Sequence, residues 1–344
     1  MVATRTIIFH IGLEKTGTDS FQRFCKDNYR ALRGQGVFYP MSRMIFDDRN
    51  HQPLVTSYLT DPDLGMGPRR APADVLRGLR GEIAAAKPGT VLISAEHFSS
   101  RFRDAEIAQL ARDFADYPCR IAVVVREHAA RIQSAYAQTV LAGRTLTFDD
   151  FCNEIFWPEN RYARYRDTIE PWERTFGREN MRVFSLASST NAIEMLCRNL
   201  IPQAVLPQTA KSYWDNKSLG ASGTEAMRQV NLALPNHEPY RTDRMGQLKW
   251  WVLHTARHRM RRLIAAAAGD RRQGRFRMSQ HNRERLTDVA NADRQWLAAS
   301  YNIELDAPRD NGDLPPDDAF AKALAEQIKR TLWVKLLMAM RRPG

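Results

Sequence analysis

The sequence predicts an α/β protein built around buried parallel strands, and three observations lead to this class. Short uninterrupted apolar runs occupy residues 6–11, 90–94 and 120–125, as expected of strands covered on both faces of a parallel sheet. Segments with apolar residues at helical spacing follow these runs along the chain. The 344 residues, 43% of them hydrophobic, suit one large α/β domain with insertions, or a domain with an appendage.

The other elements are predicted from spacing, caps and chain-breaking residues. Two shorter strands are expected at residues 36–40 and 181–184. Helices are expected at residues 19–33, 75–86, 104–115, 126–141, 148–156, 192–200 and 224–234. Thr147 is a candidate N-cap, and Asp19 with Gln22 three residues later predicts a capping box. Residues 41–75, rich in proline and glycine, are expected to form a substrate-side loop or a variable surface insertion.

The C-terminal part of the chain is predicted to be separate from the main domain. Residues 1–307 form the predicted α/β domain, residues 308–316 a polar linker with prolines, and residues 317–344 a helical extension. One helix is expected over residues 317–342. It is expected to dock on the domain; pairing with a second chain and lying on a membrane surface are the alternatives. The sequence does not indicate the oligomeric state.

The turn after the first strand predicts an anion site. The strand at residues 6–11 leads into a turn rich in glycine, threonine and lysine, and a helix follows. In this arrangement backbone N–H groups and a helix N-terminus surround an anion, as in a P-loop. Lys15 adds a positive charge beside Gly17. Hydroxyl donors come from Thr16, Thr18 and Ser20. The stretch therefore predicts a P-loop-like cradle for phosphate or sulfate.

The position of the lysine distinguishes between two kinds of cradle. In the nucleotide-hydrolase loop G-x-x-x-x-G-K-[ST] the lysine follows the second glycine, whereas Lys15 precedes Gly17. A P-loop kinase or nucleotide hydrolase is the alternative function. The lysine order is against it, and so is Arg126, which ends a strand where a magnesium-binding aspartate would be expected.

A second motif lies downstream. Arg126 follows the apolar run 120–125, and Ser134 comes eight residues later in the next predicted helix. Eight residues make just over two helical turns, so both side chains can converge on one phosphate if Arg126 reaches along the helix. The Lys-Thr-Gly-Thr order at Lys15 resembles the 5′-phosphosulfate loop of sulfotransferases that use PAPS (3′-phosphoadenosine 5′-phosphosulfate). The Arg126 and Ser134 pair resembles their 3′-phosphate site. The chain thus resembles the bacterial branch of this family over roughly residues 6–305.

This resemblance implies a fold, a cofactor and a reaction. It implies a single α/β domain whose central parallel sheet is flanked by helices. It implies transfer of a sulfuryl group from PAPS to a hydroxyl or amine of an acceptor, with release of the 3′,5′-bisphosphate. A small molecule or oligosaccharide is the implied acceptor, with a saccharide as the family-level expectation. The residues implied to contact the cofactor are Lys15, Thr16, Gly17, Thr18, Ser20, Arg126 and Ser134.

Two neighbouring residues are candidates for the base that takes the acceptor's proton. Glu96 and His97 leave the carboxyl end of the strand at residues 90–94, where reacting groups gather in open parallel sheets. Glu96 is favoured, because strand-Ser-x-Glu resembles the bacterial branch of the family. His97 is the alternative. Asp19 departs from the small polar residue usual in the family and is left out of the binding set.

The charge balance indicates an anionic partner. The net charge of +12 suits an anionic ligand, a glycan, a nucleic acid or a lipid surface, and equally a soluble protein with a doubly phosphorylated cofactor. No DNA- or RNA-reading motif is present, so no nucleic-acid partner is expected. The basic runs at residues 257–262 and 271–277 predict a solvated face, with an acidic acceptor or lipid headgroup as the alternative. A non-catalytic anion- or glycan-binding protein is a third hypothesis.

The sequence contains no pattern typical of a metal site, a disulfide framework or a membrane-spanning segment. The four cysteines lack metal-type spacing, and Cys25 and Cys119 fall in apolar patterns typical of core positions. No metal is expected. No secretory signal peptide and no run of membrane-spanning length is visible. The sequence therefore predicts a cytosolic protein without a transmembrane segment, for which peripheral membrane contact stays open.

Overall fold

The computed structural model describes residues 5–42, 45–46, 50–59, 70–187, 191–201, 219–235, 244–268, 276–306 and 317–339. Within these ranges, five strands form one parallel sheet in the order β2-β3-β1-β4-β5. The strands are β1 (Thr6–His10), β2 (Val37–Phe38), β3 (Thr90–Ser94), β4 (Cys119–Arg126) and β5 (Met181–Leu186). The predicted α/β class, with a parallel sheet flanked by helices, is confirmed.

The helices of the described ranges follow the strands in chain order. The first group is α1 (Thr18–Asp27), α2 (Tyr29–Gly34), α3 (Gln52–Tyr58), α4 (Pro72–Ala86), α5 (His97–Arg101), α6 (Asp104–Asp113), α7 (His128–Leu141) and α8 (Phe148–Ile155). The second group is α9 (Tyr165–Phe176), α10 (Ala192–Leu200), α11 (Gly220–Asn231), α12 (Arg244–Ala268), α13 (Gln280–Tyr301), α14 (Asp318–Lys329) and α15 (Leu332–Ala339).

The central strand β1 carries the core of the sheet. It pairs with β3 on one side and β4 on the other, with Ile7 opposite both Val91 and Cys119. Alternate side chains of β1 enter two apolar clusters, because successive residues of a strand point to opposite faces. Phe9 packs edge-on against Phe114, with ring centroids 5.0 Å apart. Both faces of the strand are thus buried, which explains its uninterrupted apolar run.

The chain divides into two compact units. Unit 1 comprises Met1–Glu127, Arg164–Asp215 and Val289–Ala307, and contains the whole sheet. Unit 2 comprises His128–Ala163, Asn216–Asp288 and Pro308–Gly344, and its described residues are helical apart from turns and short connections.

The C-terminal helices belong to unit 2. α14 packs against α11, and the backbone N–H of Asp317 donates to Ser222 Oγ at 2.8 Å. The single helix predicted over residues 317–342 is wrong, because α14 ends at Lys329 and α15 begins at Leu332. At the break, both the hydroxyl and the backbone N–H of Thr331 donate to the Ile328 carbonyl, at 2.7 Å and 3.1 Å. The predicted linker at residues 308–316 lies outside the described residues.

Two predictions near the N-terminus are also wrong. The helix predicted over residues 19–33 is split at Asn28, whose side-chain amide donates to the Phe24 carbonyl at 2.9 Å and ends α1. The capping box is absent, because α1 begins at Thr18 behind Gly17 and its N-cap makes no side-chain hydrogen bond. The predicted N-cap Thr147 is confirmed, since its hydroxyl accepts the Asp150 N–H at 3.2 Å.

The loop predicted over residues 41–75 needs a similar correction. Its described part contains α3 and the first turn of α4, which begins at Pro72. Proline suits the first turn of a helix, because the N–H groups there have no partner within the helix. In the described part of the chain, no helix has both the length and the apolar composition needed to cross a bilayer.

Candidate functional site

The site is organised around the loop that joins β1 to α1. Three of its residues have left-handed backbone angles: Gly12 (φ 52°), Lys15 (φ 70°) and Gly17 (φ 85°). A side chain at Gly12 would come within 3.0 Å of Thr18 Oγ1 and 3.4 Å of Glu96 Cα, so only glycine lets these elements approach. For Lys15, the left-handed conformation costs about 1–2 kcal/mol. The loop thus holds its lysine in a conformation that the surrounding contacts must maintain.

The threonines of the loop stabilise its shape. Thr16 and Thr18 are buried, and both hydroxyls are oriented toward the Leu13 carbonyl, at 2.6 Å and 3.4 Å. Both were predicted to donate hydrogen bonds to the cofactor. In the structure, both hydroxyls contact the loop backbone, and their assignment to the cofactor stays a sequence prediction. Ser20 lies in the first turn of α1 and is half-buried.

Arg126 brings the second motif to the loop. It is the last residue of β4, and its Nη1 donates to the Lys15 carbonyl at 3.2 Å, across 111 positions of sequence. The Arg126 carbonyl accepts a hydrogen bond from the Tyr165 hydroxyl. The Tyr165 backbone N–H donates in turn to Asp293 Oδ2 at 2.7 Å. The guanidinium of Arg126 is therefore bonded to the loop backbone, and the backbone of Arg126 is held by the start of α9.

Gly17 lets α10 approach the N-terminus of α1. A Cβ on Gly17 would lie 2.4 Å from the Cβ of Ala192, the first residue of α10. The Asn191 side chain caps α10 by accepting the Ile193 N–H at 2.9 Å. The N-termini of α1 and α10 thus meet at Gly17.

The two candidate bases follow β3 at the same edge of the sheet. The Ala95 backbone N–H donates to the His10 carbonyl at 3.1 Å, which holds the end of β3 beside β1. Glu96 and His97 are both half-buried. Glu96 is the N-cap residue of α5, and its carbonyl accepts the Ser99 hydroxyl at 2.8 Å.

His97 has an unusual electrostatic environment. Burial lowers the pKa of His97, and so does Arg101, whereas Glu14 and Asp19 act in the opposite direction. The net lowering keeps the imidazole neutral near pH 7, so one ring nitrogen carries a lone pair. The buried Nδ1 makes no hydrogen bond. These properties suit a group that accepts a proton.

A buried polar network beneath the loop was missed in the sequence analysis. Gln22 Nε2 donates to Ser94 Oγ at 3.1 Å, and His10 Nδ1 lies 2.8 Å from the same oxygen. Because Ser94 accepts from Gln22, its hydroxyl proton is available to His10 Nδ1. Burial lowers the pKa of His10 to about 4, so the ring is neutral. The three side chains join β1, α1 and β3 at the base of the loop.

His51 holds the same strand end from the other side. The Ser94 backbone N–H donates to His51 Nδ1 at 3.0 Å, and His51 Nε2 bonds the Pro40 carbonyl at 2.9 Å. Burial lowers the pKa of His51 to about 4. The backbone and the side chain of Ser94 are thus both fixed, two residues before Glu96. Sequence separations of 43 to 84 residues gave no local signal for this network.

The predicted site residues therefore separate into two groups. The sheet brings Lys15, Glu96 and Arg126 to one edge, with Gly17 and His97 beside them. Ser134 lies on α7 in unit 2 and is half-buried. Its assignment to the 3′-phosphate stays a sequence prediction. Among the described residues, no three His, Cys, Asp or Glu side chains are grouped in a way that could hold a metal ion.

Comparison of the chain with protein-family models, with curated proteins and with solved structures found no match.

Proposed function

We propose that the chain is a PAPS-dependent sulfotransferase that transfers a sulfuryl group to a hydroxyl or amine of an acceptor, with a saccharide as the acceptor class. One observation carries the proposal: the Arg126 guanidinium lies against the loop and donates to the Lys15 carbonyl. One residue of each motif that resembles a PAPS site, Lys15 and Arg126, thus takes part in the same contact. The P-loop-like nature of the fold is part of this proposal.

The donor set fits a bisphosphorylated nucleotide. Lys15 and the N–H groups at the start of α1 offer positive charge and donors for the 5′ end. In the described part of the chain, one of the five guanidinium donors of Arg126 is used by the Lys15 carbonyl, which leaves others for the 3′-phosphate. Thr16 and Thr18 support the loop from within.

Different residues of the chain have different roles in the proposed reaction. PAPS, when bound, supplies an activated sulfuryl group attached to a phosphate. Lys15 places its ammonium where negative charge grows on the departing phosphate oxygen. The Glu96 carboxylate takes the acceptor's proton, with the neutral His97 ring as the alternative base. Gly12 lets the backbone of Glu96 approach the loop, which supports a role for either base beside it.

Calorimetry tests the cofactor assignment. We expect adenosine 3′,5′-bisphosphate to bind without magnesium and more tightly than adenosine 5′-phosphate or ATP. Arg126→Ala should weaken its binding by about ten-fold or more, since a charged hydrogen bond contributes about 1.5–3 kcal/mol. Arg120→Ala removes an exposed arginine from the same strand and serves as the matched control. Equal affinities for the three nucleotides would refute the 3′-phosphate assignment. Preference for ATP with magnesium would favour the kinase or hydrolase alternative.

A transfer assay tests catalysis separately. Labelled sulfate should move from PAPS to at least one member of a panel of saccharides, other alcohols and amines. A chain that binds the bisphosphate but transfers nothing would instead be an anion-binding protein.

A further inference from the structure

The exposed apolar side chains of this protein are concentrated in unit 2. Among the described residues, the large hydrophobic side chains with high exposure are Trp157, Leu232, Leu248, Trp251, Leu263 and Leu336, and all of them belong to unit 2. Three lie on one helix, α12, where the exposed fractions are 54% for Leu248, 60% for Trp251 and 49% for Leu263. Exposure of several large apolar side chains on one element is typical of an interaction surface.

The same helix has an extreme charge composition. Between Arg244 and Ala268 the sequence has six lysines and arginines and no aspartate or glutamate. Arg259 and Arg262 are exposed. The sequence that follows the helix adds Arg271, Arg272 and Arg275. The helix thus combines exposed apolar groups with cations that have no acidic neighbour on the same helix.

The apolar and cationic groups share one face. At about 100° per residue, the exposed side chains larger than alanine fall within one half of the helix circumference. They are Leu248, Trp251, His254, His258, Arg259, Arg262 and Leu263. The opposite half is buried through Leu253, Met260 and Ile264, where α12 packs against α7, α11 and α14 within unit 2. We name the exposed half the α12 face.

We propose that the α12 face binds the surface of an anionic lipid membrane. Trp251 with Leu248 and Leu263 can enter the boundary between headgroups and acyl chains, while Arg259 and Arg262 contact the headgroup phosphates. A second copy of the chain fits this face poorly, because two α12 faces would bring cations together. Nucleic acid matches the charge but leaves the exposed leucines without a function. The inference is independent of the proposed sulfuryl transfer.

Flotation with vesicles tests whether the cations of the α12 face bind anionic lipid. The whole chain should float with vesicles of phosphatidylglycerol and phosphatidylcholine, and remain at the bottom with phosphatidylcholine alone. Arg259→Gln with Arg262→Gln should weaken binding about 25-fold, at about five-fold per cation near the surface. Arg77→Gln with Arg112→Gln removes two exposed arginines from helices of unit 1 and should leave binding unchanged. Equal losses in both double variants would overturn the assignment to α12.

The apolar part is tested with a second pair of variants. Leu248→Ser with Trp251→Ser should weaken vesicle binding at least ten-fold but leave binding to heparin, a soluble polyanion, unchanged. Leu336→Ser, on α15 of the same unit, is the matched control because its exposure is 63%. Vesicle binding that survives the loss of Leu248 and Trp251 would mean a purely electrostatic contact and would overturn the lipid proposal. Circular dichroism at each step confirms the fold, and single substitutions replace any double variant that unfolds.

Discussion

Lys15 combines a left-handed backbone conformation with a charged side chain in the loop that is predicted to bind an anion. If its ammonium stabilises the leaving phosphate oxygen, Lys15→Ala should lower kcat by about 10²–10³-fold, with a much smaller change in bisphosphate affinity. The charge on that oxygen grows only as its bond to sulfur breaks. Lys15→Arg keeps the cation on the same strained backbone and is the control. Single-turnover rates and calorimetry check this, and a defect confined to KM would contradict the role.

The base is identified by comparing two substitutions at the end of β3. Glu96→Gln keeps the shape and removes the basicity, and it should cost about 10²-fold or more in kcat with cofactor binding intact. His97→Phe should then retain most of the activity. The reverse pattern would assign the base to His97, whose buried, neutral ring is chemically suited to the task. The measurement is kcat for both variants under saturating PAPS, alongside bisphosphate affinity.

Individual residues show where sequence reasoning succeeds and where it fails. Lys15 and Arg126 could be predicted because Lys15 lies in the turn after one uninterrupted apolar run and Arg126 ends another. The spacing of Gln22 from Asp19 predicts a capping residue. In the structure Gln22 points inward and donates to Ser94, 72 positions away. A contact between residues so far apart in the chain produces no periodic pattern from which a single sequence could predict it.

At the scale of elements, the close approach of α1 and α10 depends on Gly17. Gly17→Ala should destabilise the fold by more than about 1–2 kcal/mol, because it adds a steric clash with Ala192 to the cost of a left-handed alanine. Adding Ala192→Gly should remove the clash and leave the backbone cost. Urea denaturation of the single and double variants measures the two terms separately.

Gly81 provides the control for this prediction. It lies within α4, and an added Cβ would meet no atom within 4 Å. Gly81→Ala should therefore stabilise the protein by about 0.5–1 kcal/mol. If Gly17→Ala behaved like Gly81→Ala, the packing of α10 on the loop would be refuted.

Elements with a single strong signal were predicted well. The bounds of β3 match the apolar run at residues 90–94, and α10 matches the predicted helix at residues 192–200. The helix α12 was predicted only as a basic run, because its exposed face mixes cations with tryptophan and leucine and lacks an apolar-polar division. The split at Asn28 depends on one side-chain hydrogen bond, which spacing does not reveal.

At the scale of the whole molecule, two buried histidines make stability depend on pH. Burial lowers the pKa of His10 and of His51 to about 4, below the usual 6.5. Between these values the unfolded chain binds protons that the folded chain does not. The stability that each neutral histidine contributes to the folded state is therefore fully present above pH 6.5. It is lost as the pH falls toward 4, and the free energy of unfolding decreases by about 3 kcal/mol per histidine.

Urea midpoints at pH 7, 5.5 and 4.5 test this dependence. The midpoint should fall with pH in the wild type and fall less in His10→Asn, which removes one titrating group. Ile8→Val in the same strand lowers stability by about 1 kcal/mol at every pH and is the control for destabilisation alone. An unchanged pH dependence in His10→Asn would show that His10 binds no proton in this range.

The α/β class could be predicted for the molecule as a whole, but the strand order could not. Apolar runs identify buried parallel strands without recording which neighbours they pair with. The central position of β1 is set by registers with β3 and β4, more than eighty residues away. The division into two units was also invisible, since each unit is assembled from three separate segments of the chain.

The central position of β1 has a consequence for synthesis on the ribosome. Of the five strands in the described sheet, β1 leaves the exit tunnel first, yet its loop acquires the Arg126 contact only after 111 further residues have been made. At about 5–20 residues per second, this interval lasts about 6–22 s. Until β3 and then β4 have been made, the edges of this apolar strand are exposed to other nascent chains. Within the described sheet, β1 is thus the strand that chaperones have to shield for longest.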